Sequence, residues 1–110
     1  MCGIAGVLNF NGEAVSPICL KNMADSIAHR GPDGEGFYSD GPIGLAHRRL
    51  AILDLSPSGH QPMVSGCGRY VLSYNGEVYN YQELRIRLES KGYRFRSTTD
   101  TEVVLKAFTE

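Results

Sequence analysis

Five places in this chain carry residues whose types could do chemistry together: Cys2, Arg49, Asn75-Gly76, Glu77 and Asp100. Cys2 is the sharpest of them. Methionine is trimmed from chains whose second residue is small, so processing is expected to leave Cys2 with a free α-amine. One residue then holds both a thiol nucleophile and its own base. With an amine pKa of about 7.7–8.0, roughly one amine in six is neutral near pH 7 and able to take the thiol proton. Pairing a nucleophile with a terminal amine is a recognised activation route. Standing alone, an early cysteine in an apolar segment reads as a small buried hydrophobe, so the reading rests on its companions.

Asn75-Gly76 follows an apolar strand, a setting that normally marks a hairpin turn. A helix start follows instead of a second strand. The Asn amide and the Gly backbone N–H can then face a developing oxyanion, where one donor is typically worth about 2.7–4 kcal/mol. Arg48 and Arg49 lie in a strand-like run and must point to opposite faces. Either could be a solvated surface side chain; a guanidinium facing inward is a fork for a carboxylate. Asp100 suits the first turn of a helix, and with Glu77 it could equally hold an ammonium group. His29-Arg30-Gly31-Pro32-Asp33-Gly34 is not a phosphate-loop pattern. A nucleophile with a built-in base, oxyanion donors, an arginine and two carboxylates describe a pocket for an α-amino acid with an acylable side chain, which glutamine fits.

The bulk properties narrow the class. At 110 residues the chain is one domain at most, and 11 basic against 12 acidic residues leave a net charge of −1. That favours neither nucleic acid nor an anionic membrane surface as partner. No apolar run approaches a membrane span and no secretory leader is evident, so a cytoplasmic location is expected. Cys2, Cys19 and Cys67 are odd in number and widely spaced, arguing against a disulfide framework and a zinc site. His29, His47 and His60 show no metal-ligand spacing.

Elements able to position these residues follow from local pattern. Strands are expected at Ile4–Phe10, Phe37–Ser39, Ile43–Leu53, Arg69–Tyr74 and Tyr93–Ser97. Ser16-Pro17 starts a helix with Cys19, Met23 and Ile27 on its buried face. Asn80 with Glu83, and Thr99 with Glu102, read as capping boxes for two more helices, the first ending at Gly92. The stretches 29–36 and 56–68 are Pro/Gly-rich loops. Strands and helices interspersed predict an α+β layered fold, with Cys19, Cys67, His47 and His60 structural.

Five ordered blocks then carry a resemblance. Met1-Cys2-Gly3-Ile4, His29-Arg30-Gly31-Pro32-Asp33, Ala46 through Asp54, Tyr74-Asn75-Gly76-Glu77-Val78-Tyr79-Asn80 and Thr99-Asp100-Thr101-Glu102-Val103 span the whole chain. In order and spacing they resemble the glutaminase domain of class II glutamine amidotransferases, members of the N-terminal nucleophile hydrolase superfamily. Arg-Gly-Pro-Asp and Asn-Gly-Glu-Val-Tyr-Asn are most similar to the glutamine-hydrolysing asparagine synthetase branch. The resemblance implies Cys2 as nucleophile, Asn75 and Gly76 as oxyanion hole, Arg49 as ligand of the glutamine α-carboxylate, and Glu77 and Asp100 as holders of its α-ammonium. It further implies that the backbone of Leu50, Ile52 and Leu53 lines the pocket.

The implied fold is a four-layer αββα sandwich, of which residues 1–110 supply the first part. The implied reaction forms a γ-glutamyl thioester, releases ammonia and then glutamate, and needs no metal or organic cofactor. ATP and Mg are expected only in a C-terminal synthetase domain absent from this chain, the domain that would receive the ammonia; the resemblance leaves room for a homodimer. Two alternatives stay open: an amidotransferase serving another carboxylate acceptor, as in cell-surface polysaccharide or peptide synthesis, and a non-catalytic glutamine-binding fragment.

Overall fold

In the structure, a computed structural model, residues 2–50 and 57–110 are described. Its frame is a three-stranded antiparallel sheet of β1 (Gly3–Leu8), β2 (Gly34–Asp40) and β3 (Ile43–Arg49), with β3 in the centre. The register sets Gly3 opposite Arg48 on one side and Gly36 opposite His47 on the other. Alternation along β3 therefore sends Gly44, Ala46 and Arg48 to one face and Leu45, His47 and Arg49 to the other.

Helix α1 (Pro17–Ser26) covers the first face, capped by Ser16, whose hydroxyl accepts the Cys19 N–H at 3.3 Å. Val15, Leu20, Ala24 and Ala46 form the core there, with Ala5 and Val7 packed against it. The buried stripe of α1 is thus Leu20–Ala24. Cys19 is exposed and Met23 and Ile27 only half-buried, contrary to expectation. Both stripes repeat at four-residue spacing and lie side by side on the helix. The small Ala24 lets α1 approach Ala46 closely, and packing chose that side. At the rim, Glu35 bridges Lys21 (2.9 Å) and Arg48 (2.7 Å), and the Lys21 ammonium beside it holds its carboxyl below the usual range.

Against the second face lies the chain from residue 57 onward. A two-stranded ribbon pairs β4 (Met63–Val64) with β5 (Val71–Leu72), so the expected strand over 69–74 is shorter than its sequence pattern. The stretches read as loops contain 3-10 turns at Ala28–Arg30 and Pro57–Gly59 besides β4, and β2 already starts at Gly34. Helices α2 (Tyr81–Ser90) and α3 (Asp100–Thr109) pack on one another. Gly92 (φ 98°) closes α2 as expected, but the Asn80 side chain makes no capping bond.

The expected strand Tyr93–Ser97 does not form. Its amides at Arg96 and Ser97 donate instead to the Glu102 carboxylate, at 2.9 and 2.7 Å, so no strand partner competes for them. Thr99 caps α3 by accepting the Glu102 N–H at 3.3 Å, while the Glu102 side chain reaches back past Thr99 to those two amides. Strand β3 ends at Arg49; the remainder of the expected run, 51–53, lies outside the described residues. The α+β class holds. No helix among the described residues is long and apolar enough to cross a membrane.

Candidate active site

A cavity of about 600 Å³ opens where the end of β3, the start of β1, the stretch after β5 and the N-terminus of α3 converge. It brings together Cys2, Arg49, Leu50, Asn75, Gly76, Glu77 and Asp100, every described residue singled out from the sequence. Ile52 and Leu53 lie outside the described residues.

Each arrives by a local cause. Cys2 directly precedes β1 and is held at both ends of Leu50: its sulfur accepts the Leu50 N–H at 3.3 Å and its S–H points to the Leu50 carbonyl at 3.7 Å. The Cys2 carbonyl in turn accepts from Arg30 Nε at 3.2 Å. The pleat separates the two arginines as expected. Arg48 turns to Glu35 and the Gly31 carbonyl, and Arg49 turns into the cavity. The Arg49 guanidinium lies against Gly59, where an added Cβ would stand 3.0 Å from Arg49 Cζ. Only glycine leaves that space open.

Asp100, at the first position of α3, is buried, and its Oδ2 accepts the Val78 N–H at 2.9 Å. That bond fastens the stretch containing Asn75, Gly76 and Glu77 to the helix, so Asp100 has a bracing role beside any role toward a ligand. Glu77 is exposed at the cavity mouth, and Asn75 is half-buried. Among the described residues the Asn75 side-chain amide has no hydrogen-bond partner, leaving its donors available to a ligand. Chemically the cavity offers a thiol, a guanidinium, an amide with its neighbouring N–H, and two carboxylates. Among the described residues, no group of three or more His, Cys, Asp or Glu side chains is placed to hold a metal ion.

Three contributors are not among the site residues singled out from the sequence, although Tyr74 stands in one of the five blocks. Tyr74 lines the cavity, and burial together with the charges of Asp100 and Glu77 pushes its phenol above the ordinary range. Gly59 makes room for Arg49. Gln61, buried, accepts the Tyr74 N–H at 2.6 Å and donates to Thr101 Oγ1 at 3.2 Å. A polar residue in a Pro/Gly-rich loop was the only hint of Gln61.

The chain belongs to the glutamine amidotransferase domain family, which it matches over residues 1–110. It is 42% identical over 113 residues to asparagine synthetase [glutamine-hydrolyzing] 2 of Bacillus subtilis, covering all of this chain and 15% of that protein. Putative asparagine synthetase [glutamine-hydrolyzing] 2 of Methanocaldococcus jannaschii is 40% identical over 126 residues, covering 98% of this chain and 24% of its own length. Amidase chry2 of Gibberella zeae is 37% identical over 120 residues, covering 98% and 18% respectively. The chain thus spans between about a seventh and a quarter of the length of these relatives.

Proposed function

We propose that this chain hydrolyses L-glutamine with Cys2 as nucleophile and supplies the ammonia to an amide-forming synthetase. The observation that supports it is the single cavity shared by Cys2, Arg49, Asn75, Gly76, Glu77 and Asp100. Arg49 takes the α-carboxylate of glutamine, and Glu77 with Asp100 takes its α-ammonium. Those contacts fix the substrate's γ-amide toward the sulfur, which is the positioning that makes an attack effectively unimolecular.

Once Met1 is removed, the Cys2 amine takes the thiol proton. The thiolate forms a bond to the γ-carbonyl carbon, and the C=O electron pair moves onto oxygen. The Asn75 amide and Gly76 N–H donate to that oxyanion. As the oxyanion collapses, the C–N bond breaks and the nitrogen leaves as ammonia with the proton from the amine. Water then adds to the thioester and releases glutamate. In this reading the hydrolysis itself uses no metal or organic cofactor. With Met1 retained the nitrogen is an amide and no base.

The sheet and α1 would be the first layers of the αββα sandwich. The names of the Bacillus and Methanocaldococcus relatives favour asparagine as the product; in this reading the acceptor is aspartate, activated by ATP and Mg in a C-terminal synthetase domain, in the cytoplasm. The differently named Gibberella relative favours keeping another carboxylate acceptor as the second reading.

Glutamate release from glutamine by the natural protein tests this, with intact mass reporting whether Met1 is gone. Release that disappears in Cys2→Ala is expected. Release that persists in that variant would overturn the nucleophile. ATP-dependent asparagine formation from aspartate, or its absence, decides the acceptor.

A further inference from the structure

Strand β5 ends at Leu72, so the sheet ladder no longer holds the backbone at Tyr74, immediately before Asn75 and Gly76. Side chains take over there. The Tyr74 N–H donates to Gln61 Oε1 at 2.6 Å, and the Tyr74 carbonyl accepts from His47 Nε2 at 3.2 Å. These are the two peptide planes on either side of one α-carbon, so both soft dihedrals of Tyr74 are set. The second plane carries the N–H of Asn75.

Gln61 is the more telling of the two holders, because its amide is used at both ends and is buried. The Tyr74 N–H can only donate, which makes the near atom of the amide its oxygen. The NH₂ then faces Thr101, next to Asp100. The Gln61 backbone is itself seated on the sheet, for a Cβ on Gly36 would strike its carbonyl.

We propose that Gln61 is a positioning residue for the oxyanion donors: its amide holds the Tyr74 backbone to Thr101 of α3, and thereby presets Asn75 and Gly76. The assignment rests on the glutamine-hydrolysis reading. Displacing a reacting group by about 1 Å can cost on the order of 100-fold in rate. The expected signature is therefore in kcat rather than in KM.

The test uses the natural protein and its Gln61→Met, Thr101→Val and doubly substituted variants. Glutamate release is expressed per site titrated by an electrophilic glutamine analogue, which separates mispositioning from a loss of folded protein. Gln61→Met is expected to lower kcat at least about tenfold with KM changed less than about threefold. Thr101→Val should lower kcat by a smaller factor. The double variant should be no slower than Gln61→Met alone, because the two substitutions interrupt one chain of contacts. A Gln61→Met kcat per site within twofold of the parent, or losses that multiply in the double variant, would overturn the assignment. A parent that releases no more glutamate than Cys2→Ala would instead sink the glutamine reading itself, and the assignment with it.

Discussion

His47 is nearly inaccessible, and its ring is held by the Tyr74 carbonyl. Burial lowers its pKa, and the charge of Arg49 and the neighbouring His60 act in the same direction despite the carbonyl's opposing pull. A depressed folded-state pKa means that the unfolded chain takes up the proton first. The stability this contributes is complete above about pH 6.5 and is lost as pH falls below it. Glu35 and Glu110, whose carboxyls are held low by Lys21 and Lys91, lose theirs only below about pH 4.5. The thermal midpoint should therefore fall between pH 7 and 5, and His47→Gln should flatten that slope. A slope unchanged by the substitution would place the titration elsewhere. Gly59 gives a second prediction at the same scale. In Gly59→Ala the new methyl takes the space of the Arg49 guanidinium, so KM for glutamine should rise about tenfold, equivalent to about 1.4 kcal/mol of binding. Unchanged steady-state KM would mean that Arg49 does not bind the substrate.

Among the elements, α3 is tied down by the carboxylate of Glu102. It takes backbone N–H groups from Arg96 and Ser97 and the Ser97 hydroxyl, while the nearest cation, Lys106, stands at 3.8 Å. The amide bonds rather than the ion pair should carry the stability. Glu102→Gln replaces one acceptor with a donor facing N–H groups and should cost about 2 kcal/mol, whereas Lys106→Met should cost under about 1 kcal/mol. Denaturant midpoints compare the two, and equal losses would reverse the attribution. The same carboxylate explains a limit on reading this sequence. Tyr93, Phe95 and Ser97 alternate as a strand would, but alternation says nothing about which acceptor claims the amides. Ser16 and Thr99 announced their helices because a cap is local chemistry, and β1 to β3 were legible because apolar runs and turns are local too. The choice of Leu20 over Cys19 for the core depended on a partner strand more than twenty residues away. Cys2, Arg49, Asn75, Gly76, Glu77 and Asp100 were legible as candidates through their chemical types together with the family resemblance, and Leu50 through the resemblance alone. The parts played by Gln61, Tyr74 and Gly59 were not, since they act only through the chain folding over them.

At the scale of the whole molecule, the second face of the sheet is apolar and partly uncovered. Ile4 and Leu8 on β1 are 52% and 55% exposed, and Phe10 beyond them is 96% exposed. Among the described strands β1 is also at an edge of the sheet, with no strand paired along one side. The 110-residue chain prepared alone should therefore self-associate at micromolar concentrations, and Leu8→Lys should shift it toward monomer. Sedimentation velocity reads both states, and a monomeric parent would show that this face is tolerated in water.

The residues lining the cavity lie far apart in the sequence: Cys2 before the first strand, and Asp100, which braces the Asn75–Val78 stretch, at the start of α3. On a ribosome adding about 5–20 residues per second, the first of them emerges seconds before the last has been made. During that interval the thiol exists without its pocket. On the glutamine-hydrolysis reading, a growing chain is therefore silent toward glutamine at least until α3 has been made and Asp100 can brace the Asn75–Val78 stretch.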